Sequence, residues 1–194
     1  MGGRLTNSST GYGWIAIVLH WMTAVTVFGL AALGLWMVDL DYYDAWYNQA
    51  PDLHRSIGIL LAGLVTARLL WRLSNRTPAD LDSHPVWQTR AALLAQLLAY
   101  VLLFWMFVSG YLISTAKGQP IEVFDLFSVP ALITGIDNLE DTAGVLHEWG
   151  AWTLLGLSAL HAGAALKHHF ADRDRTLLRM LIPTTSGQQM ENDS

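Results

Sequence analysis

The sequence predicts an all-α fold, an integral membrane four-helix bundle. Two observations support this prediction. Of the 194 residues, 53% are hydrophobic and 14% are charged, whereas a soluble domain typically carries about 25% charged residues. The chain also contains four apolar runs near the roughly 20 residues that a helix needs to cross a bilayer. These runs cover about 14–38, 53–71, 91–114 and 143–167.

The first run predicts a retained helix and not a cleaved signal peptide. It is 25 residues long, whereas the apolar region of a signal peptide has about 7–15 residues and ends at a small-residue cleavage site. The second run is the weakest of the four because it includes Arg55 and Arg68. Both arginines lie near its ends, so we expect their side chains to extend to the lipid headgroups.

Basic residues predict the orientation of the bundle. On one side of the predicted helices lie eight of them: Arg4, Arg72, Arg76, Arg90, Lys167, Arg173, Arg175 and Arg179. The other side holds only Arg55 and Lys117. Because basic residues favour the cytoplasmic side, we expect both termini in the cytoplasm of a multi-pass protein of the bacterial inner membrane.

The segments between the runs complete the predicted organisation. Loops 39–52 and 115–142 are extracytoplasmic in this orientation, and 73–90 is cytoplasmic. The long second outer loop has apolar segments that we expect to cap the bundle. Residues 1–182 are predicted to form a single transmembrane domain, and the polar tail 183–194 is predicted to be disordered.

Four histidines within these runs are the main candidates for function. Counted along the helices, His20 and His161 share a depth near the cytoplasmic side, and His54 and His147 share a depth near the outer side. His147 and His161 are 14 residues apart, which is about 21 Å and close to four helical turns. One face of the fourth helix therefore presents a histidine at each depth.

The donor set favours haem over other metal groups. Each predicted site offers two imidazoles, too few for zinc but enough for the two axial positions of a haem. The chain has no cysteine, which excludes thiolate iron–sulfur sites and the covalent attachment of c-type haem. Gly58 and Gly150 lie one turn after His54 and His147 and would leave room for a porphyrin.

Each of these features has a structural alternative. A single buried histidine more often makes an interhelical hydrogen bond, although four that match in depth and phase argue against this. The glycines could instead serve close packing of membrane helices. His168 and His169, at the inner end of the fourth run, could simply be polar residues near the headgroups.

The chain resembles the prokaryotic cytochrome b561 family over about residues 12–182. The residues that carry the resemblance are His20-Trp21, His54, His147, Leu160-His161-Ala162, His168-His169-Phe170, Asp174 and Leu178-Arg179-Met180. The resemblance implies two b-type haems, the inner one held by His20 and His161 and the outer one by His54 and His147. The third helix departs from the family, with Gln96 where many members have histidine and Phe107 where they have proline.

The resemblance also implies electron transfer between an extracytoplasmic partner and the quinone pool, with ubiquinone as substrate and superoxide as a possible donor. Arg55 and Lys117 could attract a small anion to the outer haem, or they could pair with propionates or nearby carboxylates. Trp21, His168 and His169 could line an inner quinone site, with a histidine relaying protons. We expect no nucleic-acid partner.

Two other functions remain open from the sequence. The chain could be a haem-bearing membrane anchor for a soluble dehydrogenase or hydrogenase, which would require a partner subunit. It could also be a non-redox membrane protein with structural histidines. The sequence leaves the oligomeric state open.

Overall fold

A computed structural model describes residues 5–79, 81 and 85–183, and within them the chain is mostly helical. Four long helices form in the predicted order: α1 Trp14–Met37, α2 Gln49–Ser74, α3 Val86–Thr115 and α4 Leu139–Phe170. The strands β1 Ile121–Val123 and β2 Phe127–Val129 lie between α3 and α4, and a short 3-10 helix, Leu178–Met180, follows α4. Except for Pro183, the predicted disordered tail lies outside the described residues.

Three of the four helices are long and apolar enough to cross a membrane, namely α1, α2 and α3. The sequence predicts a fourth spanning helix, but α4 does not meet the same standard of apolarity among the described residues. Its histidines and Glu148 lower its hydropathy. A span through α4 therefore remains a prediction.

Helices α2 and α4 extend past their apolar runs, and charged or polar residues lie in their first and last turns. Asp52 lies in the first turn of α2, and Glu140 and Asp141 lie in the first turn of α4. The last turn of α4 carries Lys167 and two histidines. These charges complement the helix dipole, which favours anions at the start of a helix and cations at its end.

The chain divides into two compact units, and each helix contributes a segment to both. The terminal unit contains Met1–Met22, Val65–Leu98 and Gly156–Ser194. The hairpin unit contains Thr23–Leu64 and Ala99–Leu155 and includes both strands. Large apolar side chains such as Val25, Leu97 and Leu160 are exposed on the helices. Such exposure suits a lipid environment, where apolar surface needs no cover from water.

The loop predicted to cap the bundle forms a β-hairpin in an otherwise helical chain. β1 pairs antiparallel with β2, with Ile121 opposite Val129. Ile121 and Val123 are buried, so the hairpin has a packed face. Ser56 of α2 donates a hydrogen bond to the Glu122 carbonyl (3.2 Å) and accepts one from the backbone N–H of Phe124 (3.3 Å). The hairpin is therefore fastened to α2 two residues beyond His54.

Candidate functional site: two histidine pairs

The terminal unit brings the rings of His20 on α1 and His161 on α4 close together. Their ring centroids are 6.3 Å apart, and the ring planes are inclined by 59°. His20 lies one turn beyond Ile17, which is buried and holds α1 in the unit. The two histidines are 141 positions apart in sequence, so their approach depends on the packing of α1 against α4 in this unit.

The hairpin unit contains an equivalent pair, His54 of α2 and His147 of α4. Their ring centroids are also 6.3 Å apart, with the planes inclined by 71°. A first-row transition metal lies about 2 Å from an imidazole nitrogen, as zinc does. Two such bonds in line, together with the ring radii, account for a separation of this size. The separation in each pair is therefore the one expected of two imidazoles that would hold a single haem iron between them.

His147 is oriented by a serine of α3. The Ser109 hydroxyl lies 2.9 Å from Nδ1 of His147 and donates its proton to the Trp105 carbonyl (2.8 Å). A hydroxyl has a single proton to donate, so towards His147 it accepts. The imidazole then carries its proton on Nδ1 and leaves Nε2 free as a metal donor, as in histidine metal sites generally.

Two glycines make space for the rings of the hairpin unit. A Cβ added to Gly34 of α1 would lie 3.2 Å from Cε1 of His54, and one added to Gly110 of α3 would lie 3.1 Å from Cε1 of His147. Both distances are tighter than ordinary van der Waals contact, so glycine permits the observed ring positions. Nδ1 of His54 is buried and has no hydrogen-bond partner within the described part of the chain.

The two glycines singled out from the sequence have different surroundings. A Cβ on Gly58 would meet no atom within 4 Å, which leaves open space beside α2. A Cβ on Gly150 would lie 2.9 Å from both Trp105 and Met106 of α3. Close packing of α3 against α4 thus accounts for Gly150, whereas Gly58 still offers room for a porphyrin.

Arg68 does not extend to the headgroups as the sequence suggested. Its Nη2 lies 2.8 Å from Nδ1 of His20, and the contact is partly buried. Arginine is always a donor, so Nδ1 of His20 accepts this hydrogen bond. The terminal unit therefore holds a cation beside its histidine pair.

The two cations proposed to attract an anion are both engaged in ion pairs. Arg55 pairs with Asp52, one turn earlier on α2. Lys117 lies 2.5 Å from Glu140, and this hydrogen-bonded carboxylate raises the pKa of the lysine. For both residues, the sequence offered pairing with nearby carboxylates as the alternative to attracting an anion, and both make such pairs.

The residues proposed for a quinone site all lie in the terminal unit. Trp21 donates its indole N–H to the Met180 carbonyl (2.7 Å) and so ties α1 to the 3-10 helix. Nδ1 of His168 lies 2.7 Å from Asp172 and 3.3 Å from Asp174. His169 stacks edge-on against Phe170, with centroids 4.8 Å apart.

Lys167 completes the cluster around His168. Its ammonium is hydrogen-bonded to Asp172 at 2.6 Å and lowers the pKa of that carboxyl. This interaction stabilises the folded chain above the ordinary carboxyl pKa and is lost as the pH falls through the lowered value. At neutral pH, Asp172 is therefore an anion next to the His168 ring.

The sequence did not predict the positions of four residues beside the histidine pairs: Gly34, Arg68, Ser109 and Gly110. Three of them could have been found by repeating the 14-residue spacing of His147 and His161. Gly34 lies 14 residues after His20, and Arg68 lies 14 after His54. Gly110 lies 14 after Gln96. Ser109 has no such signal.

Comparison with known proteins gives a consistent result. Residues 11–182 match the family described as prokaryotic cytochrome b561. An Escherichia coli K12 protein named cytochrome b561 homolog 2 is 49% identical over 181 residues, which cover 93% of this chain and 96% of that protein. Cytochrome b561 homolog 1 of the same strain is 29% identical over 85% of this chain and 93% of its own length. A Yersinia pestis protein named "Probable superoxide oxidase CybB" is 28% identical over 88% of this chain and 95% of its own length.

Proposed function

Because this chain belongs to the prokaryotic cytochrome b561 family, whose members transfer electrons in membranes through b-type haem, we propose that it carries electrons through two such haems. His20 and His161 would hold one, and His54 and His147 the other, with Gly58 beside the second. The observation that supports this most directly is the pair of equal centroid separations, 6.3 Å in each unit.

Haem would supply four equatorial nitrogens and a one-electron iron couple. The chain would hold each iron with two histidines, which would leave no ligand position for a substrate atom. Substrates would then exchange electrons without binding to iron. The tasks of the protein are to place each group, to tune its potential and to control access.

We propose the terminal unit, on the cytoplasmic side in the predicted orientation, as the site where ubiquinone is reduced. Reduction to the quinol takes two electrons, delivered one at a time, and two protons. His168 lies beside the carboxylates of Asp172 and Asp174, the first of which is paired with Lys167, and is well placed to relay protons. Trp21 and His169 belong to the same unit and would complete the site.

Superoxide is the leading candidate for the donor on the opposite side. Each superoxide anion would give one electron and leave as dioxygen, so two of them reduce one quinone. The name of the Yersinia pestis relative supports this choice. Ten acidic and two basic residues fall in the hairpin unit, so any attraction of an anion would be local to Arg55 and Lys117.

Stopped-flow reduction of the purified protein by superoxide, followed by ubiquinone, tests this function. The exposed Lys117–Glu140 pair is worth little, since surface ion pairs contribute about 0–1 kcal/mol, and it can open to an anion. We expect Glu140→Gln to speed haem reduction and Lys117→Gln to slow it, each by a few-fold. The difference should shrink as salt rises, because the Debye length is about 8 Å at physiological ionic strength.

Two results would separate the parts of this proposal. Equal rates for the two variants and the parent protein would exclude Lys117 as an anion site and leave electron transfer itself in place. Fast reduction by a soluble protein that co-purifies with the chain, with none by superoxide, would favour the role of a membrane anchor subunit.

A further inference from the structure

Arg68 is a charged residue in contact with a histidine pair. The proposed function gives this residue no role. It lies on α2 in the terminal unit, one turn after the fully buried Val65, and its side chain contacts Nδ1 of His20 at 2.8 Å. A charge within an apolar helix is costly to keep. Its position beside the pair suggests that the charge itself has a role there.

The hairpin unit offers its own pair a contrasting environment. His54 packs against Gly34, and His147 is hydrogen-bonded to the neutral hydroxyl of Ser109. The two basic residues of the hairpin unit, Arg55 and Lys117, each pair with a carboxylate. Among the residues that the structure describes in this unit, no cation is in contact with either histidine.

The two units also differ in net charge. By sequence, the hairpin unit has two basic and ten acidic residues, a net charge of −8, and the terminal unit has nine basic and six acidic residues, a net charge of +3. A positive surrounding stabilises the form of a redox group that holds the additional electron, and a negative surrounding stabilises the oxidised form. The effect is stronger for a cation that is partly buried.

We propose that Arg68 raises the reduction potential of the haem in the terminal unit above that of the haem in the hairpin unit, and thereby sets the direction of electron flow towards the terminal unit. Charge and burial are among the main determinants of haem potentials. This inference rests on the proposed function, because it requires a haem at each histidine pair. The inference assigns the control of the direction of electron flow to Arg68. Neither the fold nor the four histidines would determine that direction by themselves.

The contact between Arg68 and His20 constrains how the cation acts. Neutral imidazole that binds iron through Nε2 carries a proton on Nδ1, and two donors cannot bond to each other. Iron binding at His20 therefore requires the guanidinium to turn to a different acceptor, such as a haem propionate. The residue stays on the same turn of α2 in either arrangement, so its charge remains in the terminal unit.

Potentiometric titration of the haem-loaded protein tests the role of Arg68. The variants are Arg68→Gln, Arg68→Lys and, as a control, Arg72→Gln, which removes one charge from the same unit one turn further along α2. Arg72 is bonded to Gln96 (2.6 Å), not to a histidine. We expect Arg68→Gln to lower one of two potentials, and to reduce the equilibrium constant for transfer into the terminal unit at least tenfold, which is 59 mV for a one-electron couple.

The charge-conserving variant separates charge from shape. Arg68→Lys should keep both potentials near those of the parent protein, and Arg72→Gln should shift them much less than Arg68→Gln does. If Arg68→Gln loses one haem, the reduction potential measured in Arg68→Lys tests the proposal instead. A potential equal to that of the parent protein supports the role of the charge, and a lower potential contradicts it. A shift no larger than that of Arg72→Gln would also overturn the proposal. Absence of any haem in the parent protein would refute the proposed function instead.

Discussion

Ser109 acts on a predicted iron ligand from a helix that carries no ligand of its own. It accepts a hydrogen bond from Nδ1 of His147 and is fixed in turn by the Trp105 carbonyl. Such bonds orient the ring and increase the basicity of the ligating nitrogen. A more basic ligand favours the ferric state and lowers the potential.

The substitution Ser109→Ala should therefore raise the potential of one haem and leave the other unchanged. We expect a loss of stability of about 1–2 kcal/mol, which is typical when a buried partner is left without its hydrogen bond. The matched control is Ser114→Ala, because Ser114 makes the same kind of bond to a carbonyl four residues earlier and, among the described residues, no hydrogen bond to a histidine. Redox titration that gives equal shifts in both variants would show that Ser109 has no specific effect.

At the residue scale, Gly34 and Gly29 of α1 can also be compared by substitution with alanine. A methyl group at Gly34 would lie 3.2 Å from Cε1 of His54, whereas one at Gly29 on the same helix would meet nothing within 4 Å. Gly34→Ala should displace the His54 ring and reduce the haem content by up to one per chain, whereas Gly29→Ala should retain the full content. The pyridine haemochrome assay measures both, and equal content in the two variants would contradict the predicted position of the ring.

At the scale of elements, the same spacing recurs on all four helices. Pairs 14 residues apart are His20 and Gly34 on α1, His54 and Arg68 on α2, Gln96 and Gly110 on α3, and His147 and His161 on α4. Because 14 residues are close to four helical turns, the members of each pair share a face. Each helix therefore offers one such residue to each unit.

The pairing of helices gives a test with four variants. His20→Ala and His161→Ala should remove the same haem component, and His54→Ala and His147→Ala should remove the other. The reason is that each pair shares one unit, with ring centroids 6.3 Å apart. Redox titration or low-temperature spectra should sort the four variants into two classes. Loss of the same component in His20→Ala and His54→Ala would show that the pairs are wrongly assigned.

Much of this arrangement could be predicted from the sequence, because helix periodicity is a local property. The four helices and the shared face of His147 and His161 follow from residue spacing alone. The role of Ser109 could not be predicted, because it depends on how α3 packs against α4. The spacing places Arg68 on the same face of α2 as His54, but its contact with His20 depends on how α2 packs against α1. The sequence assigned Arg68 to the headgroups because long cationic side chains at helix ends commonly extend there.

At the scale of the whole molecule, the distribution of charge connects the predicted topology with the proposed direction of electron flow. The ranges of the terminal unit carry nine of the eleven basic residues, and basic residues favour the cytoplasmic side. The same charges favour the reduced form of a haem in that unit. The concentration of basic residues in the terminal unit would thus favour the predicted orientation in the membrane. It would also favour electron transfer to the unit proposed for quinone reduction.

The central claim is that each chain holds two b-type haems, each between two histidines. The most direct measurement is the haem-to-protein ratio of the purified protein, combined with its low-spin spectrum. We predict two haems per chain, both low-spin and both extractable without breaking a covalent bond, since the chain has no cysteine. A ratio of one or zero, or a high-spin spectrum showing an open axial position, would contradict the account.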